Sequence, residues 1–363
     1  MSPSPARKAI RVLIVGPSLD IVGGQAVQAK RLIEELKKVP DLEIVFQPVN
    51  PRLPGPLGFL QRIKYVRTIV TEAVYLTRLL LRAPRYDVLH VFSAGYSSFL
   101  IAAAPALIVA KLLGKKSVLN YRDGRAYDHL STRPSAVRII RLATKIVAPS
   151  GFLVGEFAKF QLPATFIYNI IDSDLYQYRN RGKPKPRFFH NRGMESHYNV
   201  PCTLRAFAIV QQRYPEATLT LAHDGSLRSQ LEQMVAEMQL KNVSFVGTVS
   251  QKEMRALYDA AEIYLMSPDI DNMPGSILEC YICGLPFVST NVGGIPLIVD
   301  NGRTGLLVGR DDHAAMAEAA IRLLEDDNLA ITTTRNGRLE CAKYQGANIA
   351  ANWHDLYRQL VSP

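Results

Sequence analysis

Four cysteines in 363 residues are too few and too irregularly spaced for a disulfide framework, and a chain this long needs no such staples. That scarcity fits a reducing cytoplasm. Cys280 and Cys283 form a C-x-x-C within an apolar run and have no second pair, so they read as packed thiols. No grouping of His, Asp and Glu has metal-ligand spacing, and no metal is expected. Zinc-finger spacing and interleaved basic and aromatic ladders are missing too, so no nucleic-acid partner is expected. The opening MSPSPARKAI passes straight into a strand pattern without a signal-peptide core. The longest apolar stretch, residues 99–113, carries Pro105 and is shorter than the roughly 20 residues that cross a bilayer. It reads as a buried helix. No G-x-G-x-x-G occurs after the first strand, which argues against a dinucleotide oxidoreductase, and no internal repeat is evident.

What the chain does have is an excess of cations: 43 Lys and Arg against 32 Asp and Glu give a formal charge of +11. Such a balance fits an acidic partner, a phosphate-bearing small molecule, an anionic membrane surface or nucleic acid, and charge alone does not choose among them. Strand-like runs alternate with helical ones throughout. Residues 10–16, 42–49, 87–92, 117–121, 145–150 and 165–172 read as strands of a first domain. The polar, proline-bearing DSDLYQYRNRGKPKPR then reads as a linker. Alternation resumes with strands at 187–191, 217–223, 243–247, 262–267 and 287–290. This is the pattern of two α/β domains with parallel, doubly wound sheets. Residues 59–85 set Arg62, Lys64, Arg67, Arg78, Arg82 and Arg85 among aliphatics. Two readings stay open there, a helix on an anionic membrane and one with a solvated basic face.

The most informative stretch runs from residue 266 to 308. Asp271 and Glu279 stand eight apart, with Pro274 and Gly275 between them and the helix-compatible Ile277, Leu278, Tyr281 and Ile282 after. A helix starting near Pro274 turns its first N–H groups toward Asp271 and Asn272, making an anion-binding mouth beside a carboxylate. That suits a sugar attached to a phosphate. Glycine turns at Gly23 and Gly24 and at Gly293 and Gly294 allow close approach of backbone to a ligand.

Taken together, VGGQAVQAKRLIEEL, DVLHVF, VAPSGFLVGEF, YNIID, RAFAIVQQRYPEATLTLAHDGSLRSQLE, VSFVGTVSQKEMRALYDAAEIYLMS and PGSILECYICGLPFVSTNVGGIP with NGRTGLLV resemble the retaining glycosyltransferases of family 4. The resemblance implies the GT-B fold, two Rossmann-like domains facing a central cleft. It implies an acceptor-binding domain at 1–178, a donor domain at 187–345, and a final segment, 346–363, crossing back to the first domain with Trp353. It also implies a metal-independent hexosyl transfer with no cofactor, a nucleotide diphosphate sugar serving as co-substrate. By the resemblance, Glu279 binds the donor ribose and Asp271 the donor sugar. Arg192 then stabilises the departing diphosphate, and the backbone of Asn272, Met273, Pro274, Gly275 and Ser276 meets the sugar and diphosphate. Gly23 and Gly24 close on the diphosphate, and Gly247 to Val249 contact the base.

Three positions depart from the family pattern. The diphosphate lysine falls near Tyr198, where His197, Tyr198 or Asn199 stands in as a neutral hydrogen-bonding group. The first glutamate is Asp271. A functional histidine is replaced by Arg122, which stays protonated and suits an acceptor carboxylate or phosphate. His90 reads either as a satisfied core residue or as part of an acceptor cleft, His129 either as supplying what Arg122 lacks or as an exposed helix position, and His223 as structural. The expected partners are the nucleotide sugar, a sugar or lipid-linked acceptor of polysaccharide or glycolipid assembly, and an anionic membrane. The expected setting is the cytoplasm or the inner face of that membrane.

Overall fold

The computed structural model describes residues 9–20, 24–53, 58–59, 63, 66–171 and 175–362. The chain divides into two compact units, Met1–Ile170 with Gly346–Pro363, and Ile171–Gln345. The first contains a six-stranded parallel sheet in the order β2-β1-β3-β4-β5-β6. Its strands are β1 (Ile10–Gly16), β2 (Leu42–Pro48), β3 (Val88–Ser93), β4 (Lys116–Tyr121), β5 (Lys145–Ala148) and β6 (Ala164–Phe166). All six residues of β3 are buried, as the continuous apolar reading requires of a strand covered on both faces. Its helices are α1 (Gly24–Leu36), α2 (Val66–Arg82), α3 (Ala104–Leu112), α4 (Ala126–Thr132), α5 (Pro134–Ile140) and α6 (Gly151–Ala158).

Strand β6 ends at Phe166 instead of continuing to 172. The physical reason is Gln28, whose carboxamide donates to the Ile170 carbonyl and accepts from the Ile170 N–H, both at 2.9 Å. One side chain thereby replaces a ladder partner. The last helix, Gly346–Val361, packs in this unit, with Trp353 stacked on His90 at 4.3 Å. Asp41 holds it through Arg358 at 2.6 Å and His354 at 2.9 Å.

The second unit has a parallel sheet in the order β12-β11-β10-β7-β8-β9. It comprises β7 (Arg187–His190), β8 (Thr218–Ala222), β9 (Val243–Gly247), β10 (Ile263–Met266), β11 (Phe287–Thr290) and β12 (Leu306–Val308). Strand β12, only three residues in a glycine-bearing loop, was not among the strands read from sequence. The helices are α7 (Val200–Arg213), α8 (Arg228–Glu237), α9 (Gln251–Ala260), α10 (Gly275–Cys283), α11 (His313–Glu325) and α12 (Asp327–Glu340).

The stretch expected to be a linker is instead bound into this unit. The Arg181 guanidinium donates to the carbonyls of Tyr258 at 2.7 Å, Ala261 at 3.0 Å, Cys283 at 2.5 Å and Gly284 at 2.8 Å. These carbonyls lie at the C-terminal ends of α9 and α10, where helices leave acceptors unpaired and favour a cation. Tyr176 is buried and meets the Tyr258 ring edge-on. The unit boundary therefore falls after Ile170, ahead of the expected 178.

Candidate active site

Parallel strands place their carboxyl ends together, and the loops leaving β7 and β10 carry the second unit's polar cluster. Arg192 follows β7 and is largely buried. Its guanidinium lies 2.5 Å from the Asp271 carboxylate and 4.4 Å from the centre of the Tyr198 ring. Burial works against the guanidinium's charge, but Asp271, with Tyr198, Tyr264 and Tyr258 nearby, outweighs it and raises the pKa. Arg192 is thus a fixed cation. Its Nε is buried without a hydrogen-bond partner among the described residues.

Asp271 also accepts from the Asn272 N–H at 2.8 Å, and its own carbonyl accepts from Gly294 N at 2.9 Å. A Cβ on Gly293 would stand 2.0 Å from the Asp271 carbonyl oxygen, and one on Gly294 1.9 Å from that of Asn272. These glycines let one backbone buttress another, which sets the position of the 271–272 loop. Helix α10 then begins at Gly275, with Pro274 extended at its N-cap and no side-chain cap among the described residues. Asn272, Met273 and Ser276 are buried.

Glu279, one turn further along α10, accepts a 2.7 Å hydrogen bond from the Tyr258 hydroxyl. Tyr258 accepts in turn from Asn191 Nδ2 at 2.9 Å, and Tyr264 donates to Asn191 Oδ1 at 2.7 Å. Sequence reasoning missed this chain of three. Its signal was a tyrosine on the buried face of α9, since a buried phenol needs a polar partner. His190 was missed as well. Its Nδ1 lies 3.0 Å from the Leu265 carbonyl, which can only accept, so the proton sits on Nδ1, and the buried Nε2 has no hydrogen-bond partner among the described residues. Burial, then Arg192, lowers its pKa to about 3.

The other expected residues are more dispersed. Asn199 caps α7 in the left-handed region, and its amide donates to Asp311 at 2.9 Å and Asp269 at 3.3 Å. The carboxamide is therefore occupied by acids, whereas Tyr198 faces Arg192. Gly247 ends β9 with φ +71, followed by the half-buried Val249. His223 also has positive φ, at the irregularity where β8 pairs with β9. Cys280 and Cys283 are buried free thiols.

In the first unit Gly23 lies outside the described residues, and Gly24 opens α1 with open space at its Cβ position. Arg122 leaves β4, stacks over Phe92 at 5.5 Å and donates to Asn120 and Asn169. Its partners are neutral, and burial lowers its pKa to about 10. Together with Gln28, Asn120, Tyr168 and Trp353 it lines a small recess. His90 is a satisfied core residue, bonded to Tyr357 and Asn120 and lowered to about 3 by burial and then Arg122. His129, expected to be exposed, is fully buried against Tyr96, Phe99 and Tyr121, because α4 turns it inward.

Residues 187–326 match the family model of glycosyl transferases group 1. That match lies within the second unit. The N-acetyl-alpha-D-glucosaminyl L-malate synthase of Bacillus anthracis is 26% identical over 294 residues, 76% of this chain and 75% of the relative. The D-inositol 3-phosphate glycosyltransferase of Corynebacterium jeikeium is 30% identical over 165 residues, 43% of this chain but only 39% of the relative. Anabaena Alr3699/HepE, solved in complex with UDP and glucose, superposes with a TM-score of 0.74 at 18% identity, covering 96% of this chain and 99% of that one. The two doubly wound sheets thus have the GT-B fold.

Proposed function

We propose that the chain is a retaining, metal-independent transferase of family 4, moving a sugar from a nucleotide diphosphate sugar to an acceptor hydroxyl. The observation that carries this reading is the half-buried Arg192–Asp271 pair, set beside the start of α10 with Glu279 on the same helix. A departing diphosphate gains negative charge as its bond to the sugar breaks. Arg192, with an Nε that lacks an acceptor, and the first N–H groups of α10 supply fixed positive potential for that charge. Glu279 accepts from the two vicinal ribose hydroxyls, and Asp271 steadies both Arg192 and the donor sugar. As the anomeric carbon–oxygen bond breaks, the acceptor oxygen bonds on the same face and its proton passes to the leaving phosphate oxygen. No protein base is required.

Arg122, a half-buried cation with neutral partners, supports an acceptor that carries a carboxylate or phosphate. Two relatives' names specify such acceptors, malate and inositol 3-phosphate. Polysaccharide or glycolipid assembly at the inner face of the cytoplasmic membrane fits that class.

The test is a thermal-shift panel of nucleotide sugars on the purified chain, followed by product analysis with anionic acceptors. One donor should raise the melting temperature of the wild type and not of Glu279→Ala. A flat panel would sink the reading. A second reading, a noncatalytic nucleotide-sugar-binding subunit, is favoured by the engagement of Asp271 with Arg192. Donor binding without diphosphate release under any acceptor would decide for it.

A further inference from the structure

The run 99–113, which reads from sequence as a buried helix, turns one apolar face outward. Ile101, Ile108 and Leu112 recur at helical spacing and are all exposed, Leu112 by 78%. Beside them, α2 buries Tyr75 and Leu79 and presents Ile69, Leu80 and Leu81 on its other side, with Ile69 71% and Leu81 65% exposed. Two hydrogen bonds hold the segments alongside each other, Tyr75 Oη to the Ala102 carbonyl and Lys115 Nζ to the Pro84 carbonyl, both 2.7 Å. Isolated exposed leucines need no explanation, but two adjoining apolar rows on neighbouring helices do.

The fully exposed charges of residues 66–116 are of one sign. These are Arg67, Arg85, Lys111 and Lys116. The acids of residues 66–116 are Glu72 and Asp87, both only partly exposed, and Asp87 is paired with Arg11. No described helix is long and apolar enough to cross a membrane. An apolar surface bordered by cations, on helices too short to span, matches the interfacial layer of a bilayer with anionic headgroups. There the aliphatic rows enter the acyl boundary and the cations meet the phosphates.

We propose that the α2–α3 face of the first unit seats on an anionic lipid bilayer. The proposal is independent of the donor site, so a chain that ignored vesicles would still bind nucleotide sugars.

The test is sedimentation of the full chain with vesicles of phosphatidylcholine alone or with about 30% phosphatidylglycerol, at low and high salt. The wild type should sediment with the anionic vesicles only, and less so in salt. The double variant Leu81→Glu, Leu112→Glu should lower binding about tenfold or more. Leu339→Glu, at an exposed position on α12 of the other unit, should bind as the wild type does. Matching thermal melts would establish that the variants fold. Equal binding to neutral vesicles, no binding, or unchanged binding by the double variant would overturn the proposal. So would a dimer that the double variant dissociates in the absence of vesicle binding, since the face would then belong to a second copy of the chain.

Discussion

The hydroxyl of Tyr258 donates a 2.7 Å hydrogen bond to Glu279 and so ties the carboxylate on α10 to the neighbouring helix α9. With Asn191 engaged on the same hydroxyl, the proposed ribose-binding group is held before any ligand arrives. Tyr258→Phe should weaken donor binding by about tenfold, near the 1–1.5 kcal/mol of one neutral hydrogen bond, with kcat changed less. Glu279→Ala removes charged acceptors and should cost about a hundredfold or more. Isothermal titration with the donor found in the panel checks both. Equal small effects would move the ribose site elsewhere.

Gly294 offers a separate test of the 271–272 loop. The backbone of Gly294→Ala would have to retreat from the Asn272 carbonyl, which lies 1.9 Å from the added Cβ. Overpacking of this kind costs about 1–3 kcal/mol and should displace Asp271, abolishing measurable donor binding. Gly302→Ala, at φ +78 with nothing near its Cβ, should lose about 1 kcal/mol of stability yet keep donor affinity. Retained binding in Gly294→Ala would mean that the loop does not set the site.

Acid should destabilise both units. His90 and His190 each have a folded pKa of about 3, below the ordinary histidine value, because burial penalises the charged ring. The unfolded chain therefore takes up these protons first. Each residue's contribution is fully present above about pH 6.5 and is lost as pH falls from there toward the folded value, roughly 2 kcal/mol each by about pH 5. Urea unfolding between neutral pH and about pH 5 should show the midpoint falling, and His90→Gln should flatten the slope. A pH-independent midpoint would contradict the buried, neutral assignment.

Arg181→Met should destabilise the second unit by about 2–4 kcal/mol, since it leaves several helix-end carbonyls without a donor. Arg181→Lys should recover little, because an ammonium cannot reproduce the planar fork that serves the ends of α9 and α10 together. Chemical denaturation of the two variants measures this. A wild-type midpoint in Arg181→Met would return the stretch to the status of a solvated linker.

Much of the fold was legible because its strands are continuous apolar runs. The ranges of β1, β9 and β11 coincide with those read from the sequence, and α10 starts within a residue of the expected Pro274. Contacts made by polar side chains across the chain were not legible. Arg181 sits in a basic, proline-bearing stretch that reads as solvated, and only the folded unit reveals the four carbonyls it serves. The same holds for His129, whose short helix gives no periodicity from which to read its inward face. Within the site, the types and spacing of Asp271 and Glu279 pointed to phosphate and sugar chemistry. Their engagement with Arg192 and Tyr258 depended on loops that meet only in three dimensions.

Asp41 grips His354 and Arg358 of the helix Gly346–Val361, and that helix also brings Trp353 and Tyr357 over His90. During synthesis the first unit therefore waits for residues 346–361, which leave the ribosome after residues 171–345. The unit begun first is thus completed after the other, and until then it leaves the apolar surface under Trp353 and Tyr357 uncovered.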